Sequence, residues 1–384
     1  MILELVGGQF KNKGDELMLH AVLQHFRSVP GAVTFASAAT APGLCAQRIP
    51  LGIRPKLNAP PRWHIRGTIA YRAMMRQYRA ALDLVSDGEI DAVLDFTGFC
   101  HGDQWALANT VDHAAQMKRW KKQGKKMILL PQALGPFRDA ARRKAFADIV
   151  ASADLIFARD VYSYRFVAET SDRLAHVRTC PDFTVLVEGA TPPHFAQEAR
   201  IGGIVPNAKM ISHTPPAVGQ AYLTFLARCA RQLLARGIEP VIILHEIEAD
   251  RRLVALLQRL IEETAGHSAR LIYEADPVLL KGILGSVFVL IGSRYHALVG
   301  ALSQGVPCLG TSWSHKYRAL FEDYGCPENL LDTHADDAAI GAKLAALTEE
   351  PRRAALIDAL KRRAAEHRSK VVTMWAEVDA LLGL

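Results

Sequence analysis

The sequence predicts a two-domain α/β protein whose parallel sheets carry helices on both faces. Its 384 residues exceed what one hydrophobic core usually supports. Short aliphatic runs also alternate with longer amphipathic stretches, in two successive series.

In the first series, strands are expected at Ile2–Val6, Val33–Ala36, Ala92–Phe96, Met127–Leu130 and Leu155–Ala158. The helices between and after them fall at Asp15–Phe26, Gly67–Val85, Trp105–Lys122, Ala140–Val150 and Val161–Glu169. The pattern restarts with strands at Ile201–Val205, Val241–His245, Leu271–Tyr273, Phe288–Ile291 and Cys308–Thr311. Its helices are Ala217–Arg236, Arg251–Thr264, Val278–Leu284 and His296–Gln304. Between the series, Glu188–Arg200 combines a Pro pair, Gly and polar residues and reads as a linker. The boundary is set at Pro193, giving domains 1–192 and 193–384. The Ala-, Arg- and Leu-rich tail Pro351–Leu382 has helical apolar spacing. It is expected to form one or two long helices that pack back on the first domain.

Half the residues are hydrophobic and 22% are charged, a globular composition rather than a disordered one. The start, MILELVGGQF, has no basic leader, and the longest uncharged stretches, Ser28–Gln47 and Tyr295–His315, are broken by Gly, Pro, Ser or His. Neither an export signal nor a membrane-spanning helix is expected. Six cysteines show no Cys-x-x-Cys spacing, so the expectation is a cytoplasmic protein without disulfides or a metal site.

The net charge of +7 is locally concentrated. Arg54, Lys56, Arg62, Arg66, Arg72, Arg76 and Arg79 fall in one window without acids. Two readings stay open there: a solvated helix face, or a surface making peripheral contact with anionic membrane lipid. Nucleic acid is not an expected partner, because the window lacks the motif context of a reader.

The segment VFVLIGSRYHALVGALSQGVP places Arg294 and His296 between a strand's carboxyl end and a helix N-terminus. Backbone N–H groups and the helix dipole favour an anion there, and the Arg fork suits carboxylate or phosphate. The structural alternatives are a cap role for His296 and a surface ion pair for Arg294. The loop Gly7–Asp15 holds three glycines and lets a ligand approach its backbone, with Asn12 expected in the left-handed region. Asn12, Gly14 and Asp15 are its candidate contacts. The spelling matches neither G-x-G-x-x-G nor a phosphate-binding P-loop. Further polar loops end other strands at Asp95–Asp103, Pro131–Phe137, Ala158–Asp160, Pro181–Phe183 and Val205–Met210. They add His101, Asp103, Gln132 and Asn207 as candidates, and such convergence is what a cleft requires.

N-x-G-D-E at Asn12–Glu16, Q-A-L-G-P-F at Gln132–Phe137, A-R-D-x-x-S at Ala158–Ser163 and C-P-D-F at Cys180–Phe183 occur in that order. I-G-S-R-Y-H-A-L-V-x-A-L-x-x-G-V-P follows at Ile291–Pro307, then H-K at His315–Lys316. Together they resemble the polysaccharide pyruvyl transferase family. The resemblance implies a GT-B-like fold of two facing Rossmann-like domains. It also implies phosphoenolpyruvate as donor, a saccharide diol as acceptor, and no further cofactor. Arg294 and His296 then contact the donor, with Arg159 as a third contact and Ser293 and Lys316 as further substrate residues. Where many members carry a Gly-Gly pair, this chain has Thr97–Trp105 (TGFCHGDQW), a departure that bears on the acceptor.

Ketal formation needs a proton at the donor methylene, and histidine suits that task near neutral pH. His296 is the expected donor of that proton, with Arg294 and Arg159 holding carboxylate and phosphate. Asp15, His101 and Asp103 are left as alternatives for activating the acceptor hydroxyl. Two other classes remain open. One is a GT-B glycosyltransferase or sugar epimerase, with Glu246 and Glu248 on a nucleotide. The other is a non-catalytic assembly factor docking through the basic window. Whether the acceptor is lipid-linked is also open.

Overall fold

The computed structural model describes residues 1–29, 31, 33–38, 46–56, 83–196 and 200–384. The first sheet has seven parallel strands: β1 (Ile2–Gly7), β2 (Thr34–Ala38), β3 (Ile53–Lys56), β4 (Ala92–Phe96), β5 (Lys126–Gln132), β6 (Leu155–Ala158) and β7 (Val177–Thr179). Their order is β3-β2-β1-β4-β5-β6-β7. The second sheet comprises β8 (Ile201–Val205), β9 (Glu239–Leu244), β10 (Arg270–Tyr273), β11 (Val289–Gly292) and β12 (Cys308–Gly310), ordered β10-β9-β8-β11-β12. Every pairing within them is parallel. Strands covered on both faces have no polar side to display, which is why β4 (AVLDF) and β8 (IGGIV) are buried throughout.

The principal helices of the first half are α1 (Lys13–Ser28), α2 (Leu107–Lys122), α3 (Ala140–Ser152) and α4 (Val161–Ala168). Those of the second half are α5 (Pro216–Leu234), α6 (Ile247–Ala265), α7 (Pro277–Ser286), α8 (Tyr295–Leu302), α9 (His315–Asp323), α10 (Asp337–Thr348) and α11 (Arg352–Leu382). Strand order reverses between β1 and β4 in one sheet and between β8 and β11 in the other. In open α/β sheets the crevice at such a reversal is where ligands bind. The loops after these four strands carry the site described below. The molecule is therefore two facing Rossmann-like domains with a C-terminal helix.

One apolar core runs through both domains, from Leu3 and Leu94 through Phe183 to Leu290 and Val378. The tail is a single 31-residue helix. Its Trp375 stacks on His25 of α1 at 4.1 Å between centroids and meets Phe26 and Phe183 edge-on. Asp379 accepts from His25 at 2.9 Å, and Arg178 reaches Glu377 at 3.2 Å. The helix thus ties the second domain to the first through a buried aromatic contact, the larger contribution, with one half-buried and one exposed polar contact beside it.

Several expectations need correction. β3 contains Pro55 and two charged residues, and β7 has three residues, so neither offers an apolar run; both sit at sheet edges, where such strands are tolerated. Helices α9 and α10 were also not anticipated. Val85 bridges Lys56 rather than ending a helix, and the rest of the expected helix, residues 67–82, lies outside the described residues. Of the seven cations in the basic window, Arg54 and Lys56 are described. Lys56 is buried against Glu4 at 2.6 Å, and Arg54 pairs with Asp83 at 2.7 Å. A buried, paired lysine offers nothing to a membrane surface; Arg62, Arg66, Arg72, Arg76 and Arg79 lie outside the described residues. Among the described residues, no helix is long and apolar enough to cross a membrane.

Trp375→Ala should lower the unfolding free energy by about 3–5 kcal/mol, the usual range for a buried aromatic. Val372→Ala, on the exposed face of the same helix, should stay within about 0.5 kcal/mol. Urea denaturation of both variants checks the contrast.

Candidate functional site

The loop after β1 starts the site. Gly7 and Gly8 adopt φ values of 119° and 66°, so the turn uses the left-handed region there and not at Asn12, whose φ is −106°. Asn12 instead caps α1, accepting from the Gly14 backbone at 2.9 Å. That leaves Asp15 free in the first turn, facing a cleft between the domains. Gly14 marks the closest approach: a Cβ there would overlap the His296 ring of the opposite domain. Only glycine lets α1 and α8 meet this closely.

His296 occupies the first turn of α8. Its Nε2 lies 3.2 Å from Asp182 Oδ2, and the Arg159 Nη1 donates to the same oxygen at 3.2 Å. The other Asp182 oxygen accepts from the Thr184 backbone at 3.0 Å and its hydroxyl at 2.6 Å. Burial would raise the Asp182 carboxyl, but His296, Arg159 and Thr184 outweigh it and hold the group well below the usual range. Arg159 also stacks 4.0 Å over the Tyr295 ring. A first-domain carboxylate therefore orients a second-domain imidazole.

Arg294 is not the open fork expected. Its Nε donates to Asp250 Oδ2 at 2.9 Å, its Nη2 donates to Asp250 Oδ1, and its Nη1 donates to Glu246. This is a buried bidentate pair plus a third contact. The guanidinium still borders the cleft, but its hydrogen-bonding directions are largely taken.

Two lysines supply the unneutralised charge instead. Lys316, at the start of α9, lies among the Trp313, Phe99, Tyr295 and Tyr317 rings at 4.7–5.5 Å. Lys209, after β8, sits 4.5 Å over Trp105 and 5.3 Å over Trp313. Among the described residues, neither ammonium has a carboxylate or hydrogen-bond partner. Burial, with Arg159 and Lys209 nearby, pushes Lys316 well below its ordinary range; burial and Arg294 lower Lys209. An arriving anion would relieve both. Asp15 moves the other way: burial dominates, His296 opposes, Glu246 adds, and the carboxyl is pushed up to about 6. These groups surround a cavity of about 110 Å³.

Asn12, Asp15, Arg159, Asn207, Arg294, His296 and Lys316 all line this cavity. Asn207 is committed to scaffolding, donating to the Ser293 carbonyl at 2.6 Å and accepting from the Lys209 backbone at 3.0 Å. Five candidates are not in the lining: Gly14, which packs under the His296 ring, and four polar side chains. Ser293 is buried with its hydroxyl bonded to Tyr222. Gln132 is buried, accepting from Thr97 at 3.2 Å. Asp103 points to the loop beyond, accepting from the Arg138 backbone at 3.2 Å. His101 is fully buried, its Nδ1 3.3 Å from the Thr110 hydroxyl. Loops that follow strand ends need internal polar partners, and these four side chains serve that need. Asp182 was read from the sequence as either a turn anchor or a substrate contact, and Lys209 lay inside a quoted loop segment without a role; Trp105 and Trp313 carried no signal, since isolated aromatics read as core.

The fold has several solved counterparts. A putative UDP-N-acetylglucosamine 2-epimerase from Listeria monocytogenes superposes with TM-score 0.57 at 14% identity, covering 99% of this chain and 96% of that one. Anabaena Alr3699/HepE in complex with UDP-glucose gives 0.61 at 14%, covering 100% and 99%. MurG from Acinetobacter baumannii gives 0.51 at 12%, covering 100% and 99%. At such identities the likeness is one of fold, and it is GT-B-like. No curated protein matches the chain. The family model for polysaccharide pyruvyl transferase matches residues 12–315, from the Asn12 cap across both sheets to the first residue of α9. By that match, the chain belongs to the polysaccharide pyruvyl transferase family.

Proposed function

We propose that the cleft transfers the pyruvyl group of phosphoenolpyruvate onto two hydroxyls of a saccharide, forming a pyruvate ketal in the synthesis of an exopolysaccharide or cell-surface glycan. The observation that carries this reading is Lys209 and Lys316, two lysines without an ion-paired carboxylate among the described residues, which line one small cavity together with His296 and Asp15. Phosphoenolpyruvate brings a carboxylate and a phosphate, and those charges complement the lysines and Arg159.

In this mechanism the His296 imidazolium protonates the donor methylene while a saccharide hydroxyl attacks the adjacent carbon. Asp15, ionised above about pH 6, takes the hydroxyl proton. Phosphate then leaves with the C–O bonding pair, beside Lys209 and Lys316. The resulting oxocarbenium is captured by the second hydroxyl, whose proton passes to the neutral His296 as the ketal closes, and the departing phosphate takes the proton held by Asp15. Asp182 fixes the His296 ring throughout, and Arg294 holds the start of α8 through Asp250 and Glu246. The nucleotide-sugar alternative needs Glu246 and Glu248, but Glu246 is engaged by Arg294 and Glu248 lies 2.7 Å from Lys11.

His296→Gln should abolish acceptor-dependent phosphate release yet keep the thermal stabilisation given by phosphoenolpyruvate; full turnover by that variant would remove His296 from the chemistry. Lys316→Met should instead lose the stabilisation, whereas UDP-glucose should stabilise neither protein. For the wild type, kcat/KM should rise with pH through about 6, because the base works only when ionised. Asp15→Asn should flatten that limb and lower the rate by about 10²–10⁴-fold. An unchanged limb would assign the base elsewhere.

A further inference from the structure

The segment Thr97–Trp105 departs from the family pattern, and directly behind it the structure gathers three ligand-type side chains. Asp95 is the next-to-last residue of β4, His101 lies in the loop, and His113 belongs to α2. One ligand atom from each lies within 4.8 Å of the other two. His113 Nε2 is already 3.3 Å from Asp95 Oδ2. With metal–ligand bonds of about 2.0–2.1 Å, the edge of a tetrahedral zinc site is about 3.4 Å. The rings of His101 and His113 approach edge-to-face at 4.9 Å between centroids.

The group also contains unmet hydrogen-bonding capacity. Asp95 and His101 are 2% and 0% exposed. Asp95 Oδ1 is taken by Thr97, and His101 Nδ1 by the Thr110 hydroxyl. Asp95 Oδ2 has only the His113 Nε2 contact at 3.3 Å, and the fully buried His101 Nε2 has no hydrogen-bond partner among the described residues. Buried polar atoms in native proteins rarely stay unmet, and an ion is one of the standard reasons for an apparent exception. The remaining atoms, Oδ1 and Nδ1, are held by Thr97 and Thr110, which fixes how both side chains are oriented, as outer hydrogen bonds do for metal ligands. Arg142 is the nearby cation, and it is directed to the Trp105 carbonyl at 2.8 Å and towards Asp103 at 3.4 Å.

We propose that Asp95, His101 and His113 bind a transition-metal ion, with zinc as the best-suited occupant. Two imidazoles and one carboxylate select such an ion over magnesium or calcium, which take oxygen ligands. The ion would join β4, α2 and the 97–105 loop at one point. That loop supplies Thr97, Gly98, Phe99 and Trp105 to the cleft, so the metal is assigned the role of bracing the first-domain wall. The chemistry assigned to His296 does not pass through it, and the two readings fail independently.

The test uses full-length protein stripped with chelator, incubated with zinc, desalted and analysed for metal. Wild type should retain about one zinc per chain and melt at a higher temperature than its stripped form. His113→Gln, folded by circular dichroism, should lose both the retained zinc and the melting shift. Asp95→Asn gives the same comparison from the β4 side. Cobalt substitution should give visible d–d absorption in the wild type alone. Zinc absent from the wild type would overturn the proposal and leave the group as an Asp95–His113 ion pair. Equal retention by a folded variant would overturn it as well.

Discussion

The site depends on the Asp182 carboxylate more than on any other group. It follows β7, belongs to the first domain, and binds Arg159 of that domain and His296 of the other. Burying a carboxylate is unfavourable unless it is paired and hydrogen-bonded, and here both oxygens are engaged. The arrangement sets the approach of the two domains: His296 can reach Asp182 only because Gly14 leaves room for its ring. The tail helix reinforces the same approach from behind, with Trp375 packed on Phe183, one residue from Asp182.

Around that anchor, the cations divide into two kinds. Arg294 and Arg159 are matched by carboxylates, so their geometry is set before any ligand arrives. Lys209 and Lys316 are held by aromatic faces, which attract a cation without supplying a formal negative charge. Burial disfavours their charged forms, and an anionic ligand would restore them. Electrostatic preorganisation of this sort suits a small, highly charged ligand. The raised Asp15 carboxyl is the complementary feature: the burial that lowers the lysines also keeps one acid titrating in a useful range.

Much of the fold was legible because parallel strands buried on both faces leave unbroken aliphatic runs, as at β4, β8 and β11. The edge strands β3 and β7 were not legible, since an edge needs little apolar content. At the site, His296, Asp15, Arg159 and Lys316 were reached from strand ends and the resemblance, and each does border the cleft. Arg294 shows the limit of that reasoning. Position at a helix N-terminus says nothing about Asp250 and Glu246, which approach from α6 and the loop before it, 44 and 48 residues earlier. His101 was placed by its loop, yet its ring turns inward to Thr110 and His113, a choice made by tertiary packing. The Asp95, His101 and His113 group was invisible for the same reason, because its spacing matches no short metal motif.

The central claim is the transfer of a pyruvyl group. Incubating the protein with phosphoenolpyruvate labelled with ¹³C at its second carbon, with and without a panel of saccharide diols, tests it directly by NMR. Pyruvyl transfer gives acceptor-dependent phosphate release matched by label in a methyl-bearing ketal carbon of the saccharide. Phosphate release that ignores the acceptor and leaves the label in free pyruvate would contradict it.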